Sequence, residues 1–402
     1  MSKIDMCALS EDNIGHTPVF IFMMIAMINL IFIYKLIVPF KNIYDYTPYL
    51  MSFVVYVGGC YALITYKKTK YPSKTIGLLM TYLIIVVPIS IHSLNTSQMF
   101  ITTINTTAKI AFWVITFMVA YNYTYNKYNN LILKWFLMFA PLITIYYFYV
   151  AFYRFTVGYG TYINLIYYSL LLLPMVLVIK DNLIRAAICI LMFIAVLLSV
   201  KINAILCFLG AIVLYVFVNS IIENSKLRKA KALLTIYIII ILVSIFLFIF
   251  DSWFNIPWLN RLNFHYMIES GAHDRFLIWK EIIEIQKQST IKQWLWGHGF
   301  DGVSKYTKWK ISAHNDYLEV LFDYGIVSFI VYVSFLVRLC SINLSMIKDK
   351  FRYAAAFTSS LFIVILMSFT SHLVYYPTYY IYITIFWGVV LAIYNRESEI
   401  YI

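Results

Sequence analysis

The chain consists of long apolar runs joined by short polar connections, and one long polar interval interrupts this pattern. About twelve of the runs are long enough to cross roughly 30 Å of hydrocarbon as helices. None alternates apolar and polar positions as a transmembrane strand does. The pattern therefore predicts an all-α integral membrane protein. The predicted spans lie at roughly 18–38, 46–66, 74–93, 101–121, 131–150, 161–179, 184–200, 204–222, 232–250, 316–337, 353–373 and 378–394.

The polar interval, residues 251–315, divides the chain into three parts. Residues 1–250 are predicted to form a transmembrane scaffold of about nine spans, and residues 316–402 about three more. The interval itself is predicted to be a loop outside the cytoplasm that carries short helices. If the protein performs chemistry, we expect it in this loop and at the start of the next span.

The charge distribution orients the predicted spans. With the N-terminus placed in the cytoplasm, 18 Lys and Arg residues fall on the cytoplasmic face, 5 fall in the opposite short connections, and the remaining 8 lie in the long loop. Since basic loops stay on the cytoplasmic side, both termini are predicted to be cytoplasmic and the 251–315 loop to lie outside. The net charge of +13 is explained by these loops, so no nucleic-acid partner is expected.

Composition agrees with a membrane protein and gives no sign of a metal site. The chain is 62% hydrophobic and 12% charged, against about 25% charged residues in soluble domains. Its five cysteines are scattered, and its acidic residues show neither a metal-binding cluster nor the paired carboxylates of a glycosidase. No metal or cofactor is predicted. Glu269 and Asp316 stay open as possible bases.

A helix is predicted over residues 272–286, where apolar residues recur at helical spacing. Arg275 falls in the middle of the apolar stripe, which is an unusual place for a solvated arginine. Either it snorkels at the membrane surface, or its guanidinium points into a cavity and holds an anionic ligand. The stripe comprises Phe276, Ile278, Trp279, Ile282, Ile283 and Ile285.

Two histidine segments follow this helix. Gly297-His298-Gly299-Phe300 predicts a tight bend, in which His298 is either a loop residue without a role or a substrate contact. His314-Asn315 directly precedes an apolar run, which places His314 at a helix N-terminus. Such an end favours phosphate and disfavours imidazolium, so His314 is predicted to stay neutral and able to accept a proton.

Isolated cations and histidines also lie near the outer ends of spans. Lys201 breaks the apolar run between the seventh and eighth spans, where it is either a loop marker or a site residue. Arg154 is a weaker case of the same kind, and the tyrosines around it offer a stacking surface for sugars if they are more than an interfacial belt. His92, Lys109 and His372 are interpreted as structural.

The chain resembles the bacterial O-antigen polymerase and O-antigen ligase family. The resemblance covers the multi-span architecture and, in detail, residues 271–325. Its specificity comes from the order of short motifs within one outer loop. These are Arg275, Trp279, the segment 297–300, the segment 314–319 and Gly325.

A second and weaker match is Ser199-Val200-Lys201, where the family often has Ser-x-Arg at the outer end of a span. Lys201 therefore replaces an arginine and loses its bidentate phosphate geometry. Ser328 also stands where many members have a second glycine after Gly325.

The resemblance implies a GT-C-like, metal-independent glycosyltransferase in the bacterial inner membrane, acting on its periplasmic face. The donor and acceptor would be undecaprenyl-diphosphate-linked oligosaccharides, and a chain-length regulator and a flippase are the expected protein partners. His314 is the candidate base, and Arg275 and Lys201 would hold the diphosphate. The further candidate substrate-binding residues are Asn315, Trp279, His298 and Arg154.

Three functions remain open. A polymerase, which joins lipid-linked repeat units, is the first choice. A ligase, which transfers finished glycan to lipid A-core, uses the same donor chemistry. A lipid-oligosaccharide transporter is less favoured, because no paired repeats or Gly/Pro-broken mid-membrane spans are present.

Overall fold

A computed structural model describes residues 47–66, 73–94, 99–127, 166–199, 201–223, 273–374 and 377–400, with a few separate residues between them (132, 144–146, 148–149, 152–153 and 230). Every regular element in this part of the chain is a helix. The helices are α1 Thr47–Tyr66, α2 Ser73–His92, α3 Met99–Lys127, α4 Ile166–Leu177, α5 Asn182–Leu198, α6 Ile202–Glu223, α7 His273–Lys287, α8 Ile291–Trp296, α9 Gly302–Tyr306, α10 Asp316–Lys348, α11 Ala354–Thr370 and α12 Pro377–Ile400.

Nine of these helices, α1–α6 and α10–α12, coincide with predicted spans to within a few residues at most ends, α10 and α12 running on at their C-termini. Among the described residues, α2, α3, α6 and α10 contain stretches long and apolar enough to cross a membrane, and α1, α5 and α11 are shorter apolar helices. The described part of the chain is therefore all-helical, and its apolar helices are consistent with a multi-pass membrane protein. The predicted spans at 18–38 and 232–250, and most of 131–150, fall outside the described residues, so the total of about twelve stays a prediction.

The bundle is held by aromatic packing and by hydrogen bonds between helices. α3 packs against α1 and α12, α11 packs against α6, and α10 packs against α2. Ser359 Oγ on α11 donates to the Ala211 carbonyl on α6 over 2.7 Å, and Trp387 Nε1 on α12 donates to Ser360 Oγ over 2.8 Å. Small and hydroxyl residues at such contacts are typical of helix pairs in lipid, where apolar side chains alone do not favour association.

A break in α10 connects the long span to the polar segment before it. At Gly325 the backbone leaves helical geometry, with φ 76° and ψ 176°. A Cβ on Gly325 would lie 2.2 Å from the Leu295 carbonyl oxygen, and one on Gly297 would lie 2.3 Å from the Asp323 carbonyl oxygen. The two glycines thus allow two backbones to touch, and a positive φ at both is readily adopted only by glycine.

The carbonyls near this break receive donors from the turn after α8. The N–H of His298 donates to the Phe322 carbonyl over 2.9 Å, and that of Gly299 donates to the Asp323 carbonyl over 2.8 Å. Irregular backbone near a membrane span needs partners of this kind. Gly297, Gly299 and Gly325 therefore form one structural unit that fixes the polar segment on α10.

The helix predicted at 272–286 is present as α7, but its apolar stripe is not a single buried face. Ile278 and Ile282 are 1% and 2% exposed and pack with Val303, Ala313 and Phe322. Phe276 and Ile283 are instead 48% and 47% exposed. The helical wheel identified the apolar positions, and the narrow contact with α9 and α10 buries only some of them.

Candidate active site

A cavity of about 690 Å³ lies where α3, α4, α6, α7 and α10 meet the segments 300–314 and 371–372. Four cationic residues line it, namely Lys109, Lys201, Arg275 and Lys310. Both His314 and His372 also line it, together with the acidic residues Asp301, Glu319 and Asp323. The cavity therefore combines clustered positive charge with two imidazoles.

Arg275 is fixed at the start of α7 by one hydrogen bond. Its Nη1 donates to the Thr370 carbonyl over 2.8 Å, at the last residue of α11. The free carbonyls of a helix C-terminus attract cations, so this contact holds the guanidinium in place. It uses one of five N–H donors, and the residue lines the cavity, where an anionic ligand would meet a positioned guanidinium.

The backbone around His314 is held from several directions. Trp279 Nε1 donates to the Ala313 carbonyl over 2.7 Å, and the Ala313 N–H donates to Glu319 Oε1 over 2.6 Å. Asn315 caps α10 by accepting from the Leu318 N–H over 3.1 Å. His314 has a φ of 52°, which is uncommon for a residue with a side chain and persists only where neighbours enforce it.

The two cavity histidines stack on each other. The ring centroids of His314 and His372 are 4.6 Å apart with 26° between the planes, and Ser312 Oγ lies 3.0 Å from His372 Nδ1. Burial, then Arg275, then Lys201 lower the pKa of His314 to about 4. Burial, followed by His314 and nearby cations, lowers the pKa of His372 to about 3. Both imidazoles are therefore neutral at pH 7.

The neutrality expected for His314 thus arises from burial and from two cations. The sequence argument attributed it to the helix N-terminus alone. A neutral imidazole offers a lone pair to a hydroxyl hydrogen, which is the property a general base requires.

Asp316 plays a structural part. Its carboxylate is fully buried and accepts from Ser368 Oγ over 2.8 Å and from the N–H groups of Leu373 and Val374. These bonds hold the segment after α11 against the start of α10. Both carboxylate oxygens are thereby engaged, and Asp316 is not among the residues that line the cavity.

Of the residues singled out from sequence, the structure brings Arg275, Lys201 and His314 together around the cavity. Trp279 and Asn315 lie behind His314 and hold its backbone. Arg154 and Glu269 lie outside the described residues.

His298 is not among the cavity-lining residues. Its ring stacks on Phe322, with centroids 4.1 Å apart and 16° between the planes, and its Nε2 lies 2.9 Å from Ser289 Oγ. Burial lowers its pKa. The side chain that sequence proposed for substrate binding is thus engaged in packing the turn onto α10.

Lys109 and His372 were interpreted as structural from sequence, yet both line the cavity. Lys109 Nζ also lies 5.5 Å from the Phe300 ring centroid, which links α3 to the Gly-His-Gly-Phe turn. The usable signal was their position near outer span ends, where an ionisable residue in an apolar segment indicates a site. Among the described residues, no group of three or more His, Cys, Asp or Glu is arranged to hold a metal ion.

Comparison with known proteins tests the resemblance directly. No curated protein matches the chain significantly. Residues 187–333 match the family model described as O-antigen ligase. The matched segment contains Lys201, Arg275, His298, His314 and Gly325, which carry the resemblance. The match over residues 187–333 therefore supports the family expected from these motifs, the O-antigen ligase and polymerase family.

Proposed function

We propose that this protein is a surface-polysaccharide polymerase that joins undecaprenyl-diphosphate-linked repeat units on the periplasmic face of the inner membrane. The observation that carries the proposal is the cavity in which a neutral His314 lies with Arg275 and Lys201. The family match supports a glycosyltransferase of the O-antigen ligase and polymerase type that uses lipid-linked glycans.

In the proposed step, an acceptor sugar hydroxyl attacks the anomeric carbon of the donor. A new C–O bond forms as the bond from that carbon to the diphosphate breaks, and the lipid diphosphate leaves with the electron pair. His314 takes the hydroxyl proton and later releases it to water. Arg275 and Lys201 stabilise the negative charge that develops on the leaving group, and Lys109 adds a third cation to the same cavity.

Donor binding would also improve His314 as a base. A group with a pKa of about 4 accepts a proton weakly at neutral pH, because general-base catalysis is most effective when the pKa lies near the working pH. Two of the causes that lower this pKa are the charges of Arg275 and Lys201. A bound diphosphate offsets those charges, so the pKa of His314 rises when the donor is in place.

The same arrangement explains how the reaction would proceed without a metal ion. Side-chain cations supply the positive charge that a divalent ion supplies in other transferases.

In the proposed topology both termini are cytoplasmic and the loop is periplasmic. We also propose that a flippase delivers the substrate and that a chain-length regulator acts with the protein.

A ligase is the second candidate, because the matching family model is described as O-antigen ligase. Its donor would occupy the same cavity, and only the acceptor would differ. A transporter is less favoured, because the cavity lies near helix ends that the proposed topology places outside, and because it contains groups suited to proton transfer.

The glycan profile of a strain lacking the protein distinguishes these candidates. For a polymerase, the surface lipid carries a single repeat unit, and wild-type protein but not His314→Ala restores long chains. For a ligase, long chains accumulate on the polyprenyl carrier and none reach the surface lipid. Loss of all outer-face lipid-linked glycan would indicate transport and contradict both enzymatic candidates.

A further inference from the structure

His372 contributes to the cavity from a part of the chain that the family match does not reach, since the match ends at residue 333. It lies two residues beyond the end of α11. Its ring is 7% exposed and stacks on that of His314, with centroids 4.6 Å apart. The contact covers one face of the imidazole that the proposed mechanism uses.

The position of His372 is fixed on both sides. Ser312 Oγ lies 3.0 Å from its Nδ1, which sets the ring rotation from the segment that leads into His314. The next two backbone N–H groups, of Leu373 and Val374, donate to the buried carboxylate of Asp316. Thus Ser312 and Asp316, which flank His314 in sequence, both hold the segment that carries His372.

The stacking contact adds a constraint on the His314 ring that the contacts of its backbone do not supply. Its backbone is clamped through Ala313 and Asn315, but those contacts leave its χ angles free. A catalytic group must be held within a fraction of an ångström of its working geometry, and a misplacement of about 1 Å can reduce the rate about 100-fold. A flat partner at stacking distance restricts the ring plane and excludes water from that side.

We propose that His372 is a positioning residue that fixes the imidazole plane of His314 by ring stacking and shields it from water. The inference rests on the proposed function of His314 as the base. His372 acts through its ring face, while its Nδ1 anchors it to Ser312. The other charged or titratable groups that line the cavity are Arg275 on α7, Lys201 before α6, Lys109 on α3, Tyr167 on α4, Asp301 and Lys310 in the segment before α10, and Glu319 and Asp323 on α10.

Three substitutions of His372 test the contribution of the ring face separately from that of the ring nitrogens. His372→Phe keeps a flat ring and loses the bond to Ser312. His372→Asn keeps a polar group near Ser312 and loses the stacking face, and His372→Ala loses both. With purified protein and lipid-linked repeat units, we expect Ala and Asn to lower kcat about 10- to 100-fold with little change in the donor KM. The His372→Phe variant should retain most of the wild-type kcat.

The acid limb of the pH profile of kcat/KM is a second measurement, and a simple loss of folded protein would not shift it. Opening the stacked face to water removes part of the burial that lowers the pKa of His314. The limb should therefore move to higher pH in the Ala variant and stay in place in the Phe variant. A Phe variant as inactive as Ala, or an Ala variant with wild-type kcat and pH profile, would overturn the stacking role.

A chemical probe tests the inference without relying on polymer formation. Diethyl pyrocarbonate modifies neutral, accessible imidazole, and mass spectrometry of the peptide containing His314 gives the rate. We expect faster modification in His372→Ala than in wild type and His372→Phe. Equal rates in all three proteins would overturn the shielding role. If the probe gives the expected order but wild-type protein transfers no glycan, the proposed function fails and the placement of His372 stands.

Discussion

Two histidine segments adjoin the start of α10, the turn that contains His298 and the residues around His314, and they illustrate how similar motifs acquire different tasks. Each has backbone with a positive φ, at Gly297 and Gly299 in one segment and at His314 in the other, and burial lowers the pKa of both His298 and His314. Their surroundings differ. The ring of His298 packs on Phe322, whereas His314 lies in a cavity beside Arg275 and Lys201.

The difference shows that the perturbed pKa alone does not identify the reactive histidine. Desolvation is the only cause for His298, and it is what any half-buried packing histidine experiences. For His314, two cations add to desolvation, and its cavity is lined by four cationic and three acidic residues. An entering anion would be stabilised by these cations, which is why the proposed function places the donor there.

The largest effect that we expect follows from removing the His314 side chain. A general base contributes about 10²- to 10⁴-fold, so His314→Ala should lower kcat by that amount and leave no visible polymer in cells. The measurement is glycan transfer by purified protein with lipid-linked repeat units. His298→Ala at matched protein level is the control, and polymer formation by His314→Ala near the wild-type rate would remove His314 from the mechanism.

The next effect concerns the cations that mark the site. Lys201→Gln keeps a polar side chain of similar length and removes one charge from the cavity. Hydrogen bonds to charged groups contribute about 1.5–3 kcal/mol, so kcat/KM for the donor should fall about 10- to 100-fold.

Lys201→Arg is the matched control, because it restores the residue that the family often has at this position and keeps the charge. We expect it to retain or raise activity, since a guanidinium binds phosphate through two parallel bonds. If Lys201→Gln and wild type give the same donor KM and kcat, Lys201 has no part in holding the diphosphate.

Much of this fold was predictable from the apolar pattern, because a span needs about 20 apolar residues whatever its neighbours are. The helices α2, α3, α6 and α10 accordingly lie where the runs predicted them. The grouping of Arg275 with His314 followed from the order of motifs within one loop.

The remainder depended on contacts between distant segments, which a single sequence does not encode locally. Lys109 on α3 and His372 after α11 enter the cavity only because the helices that carry them pack beside α10 and its loop. Likewise, the hydrogen bonds from Leu373 and Val374 to the Asp316 carboxylate join residues that are far apart in sequence. The exposure of Phe276 shows the same limit, since a helical wheel does not reveal which neighbours are present.

A smaller and more specific effect is expected in the pH dependence. Protonation inactivates His314 as a base, and its pKa is lowered to about 4 by burial, Arg275 and Lys201. The profile of kcat/KM, which reports the free enzyme, should therefore stay flat from neutral pH until about pH 5 and fall as the pH approaches 4. In Lys201→Gln one lowering charge is absent, so the acid limb should move to higher pH.

The same lowered pKa values affect stability with a definite sign. Below the ordinary histidine pKa of about 6.5, the unfolded chain binds protons that His314 and His372 exclude in the folded state. Stability should then decrease as the pH falls from about 6.5 toward 4. Thermal unfolding in detergent measures this, and a weaker pH dependence is expected for His372→Phe. In the kinetic experiment, a wild-type kcat/KM that falls already near pH 6.5 would contradict the depressed pKa of His314.

The smallest catalytic effect should come from the other histidine, and it completes the comparison. His298→Asn removes the ring that stacks on Phe322 and alters the contact with Ser289, but the backbone N–H that donates to the Phe322 carbonyl remains. An aromatic pair contributes about 0.5–1.5 kcal/mol beyond its buried area, and a hydrogen bond contributes about as much. We therefore expect a loss of about 1–2 kcal/mol in stability, seen as a lower unfolding temperature.

The activity of His298→Asn per folded molecule should stay within about threefold of wild type, because no atom that lines the cavity changes. A loss of kcat as large as that of His314→Ala, in protein that is fully folded, would mean that the turn at Gly297–Gly299 reaches the substrate, and the division of tasks between the two histidines would be wrong.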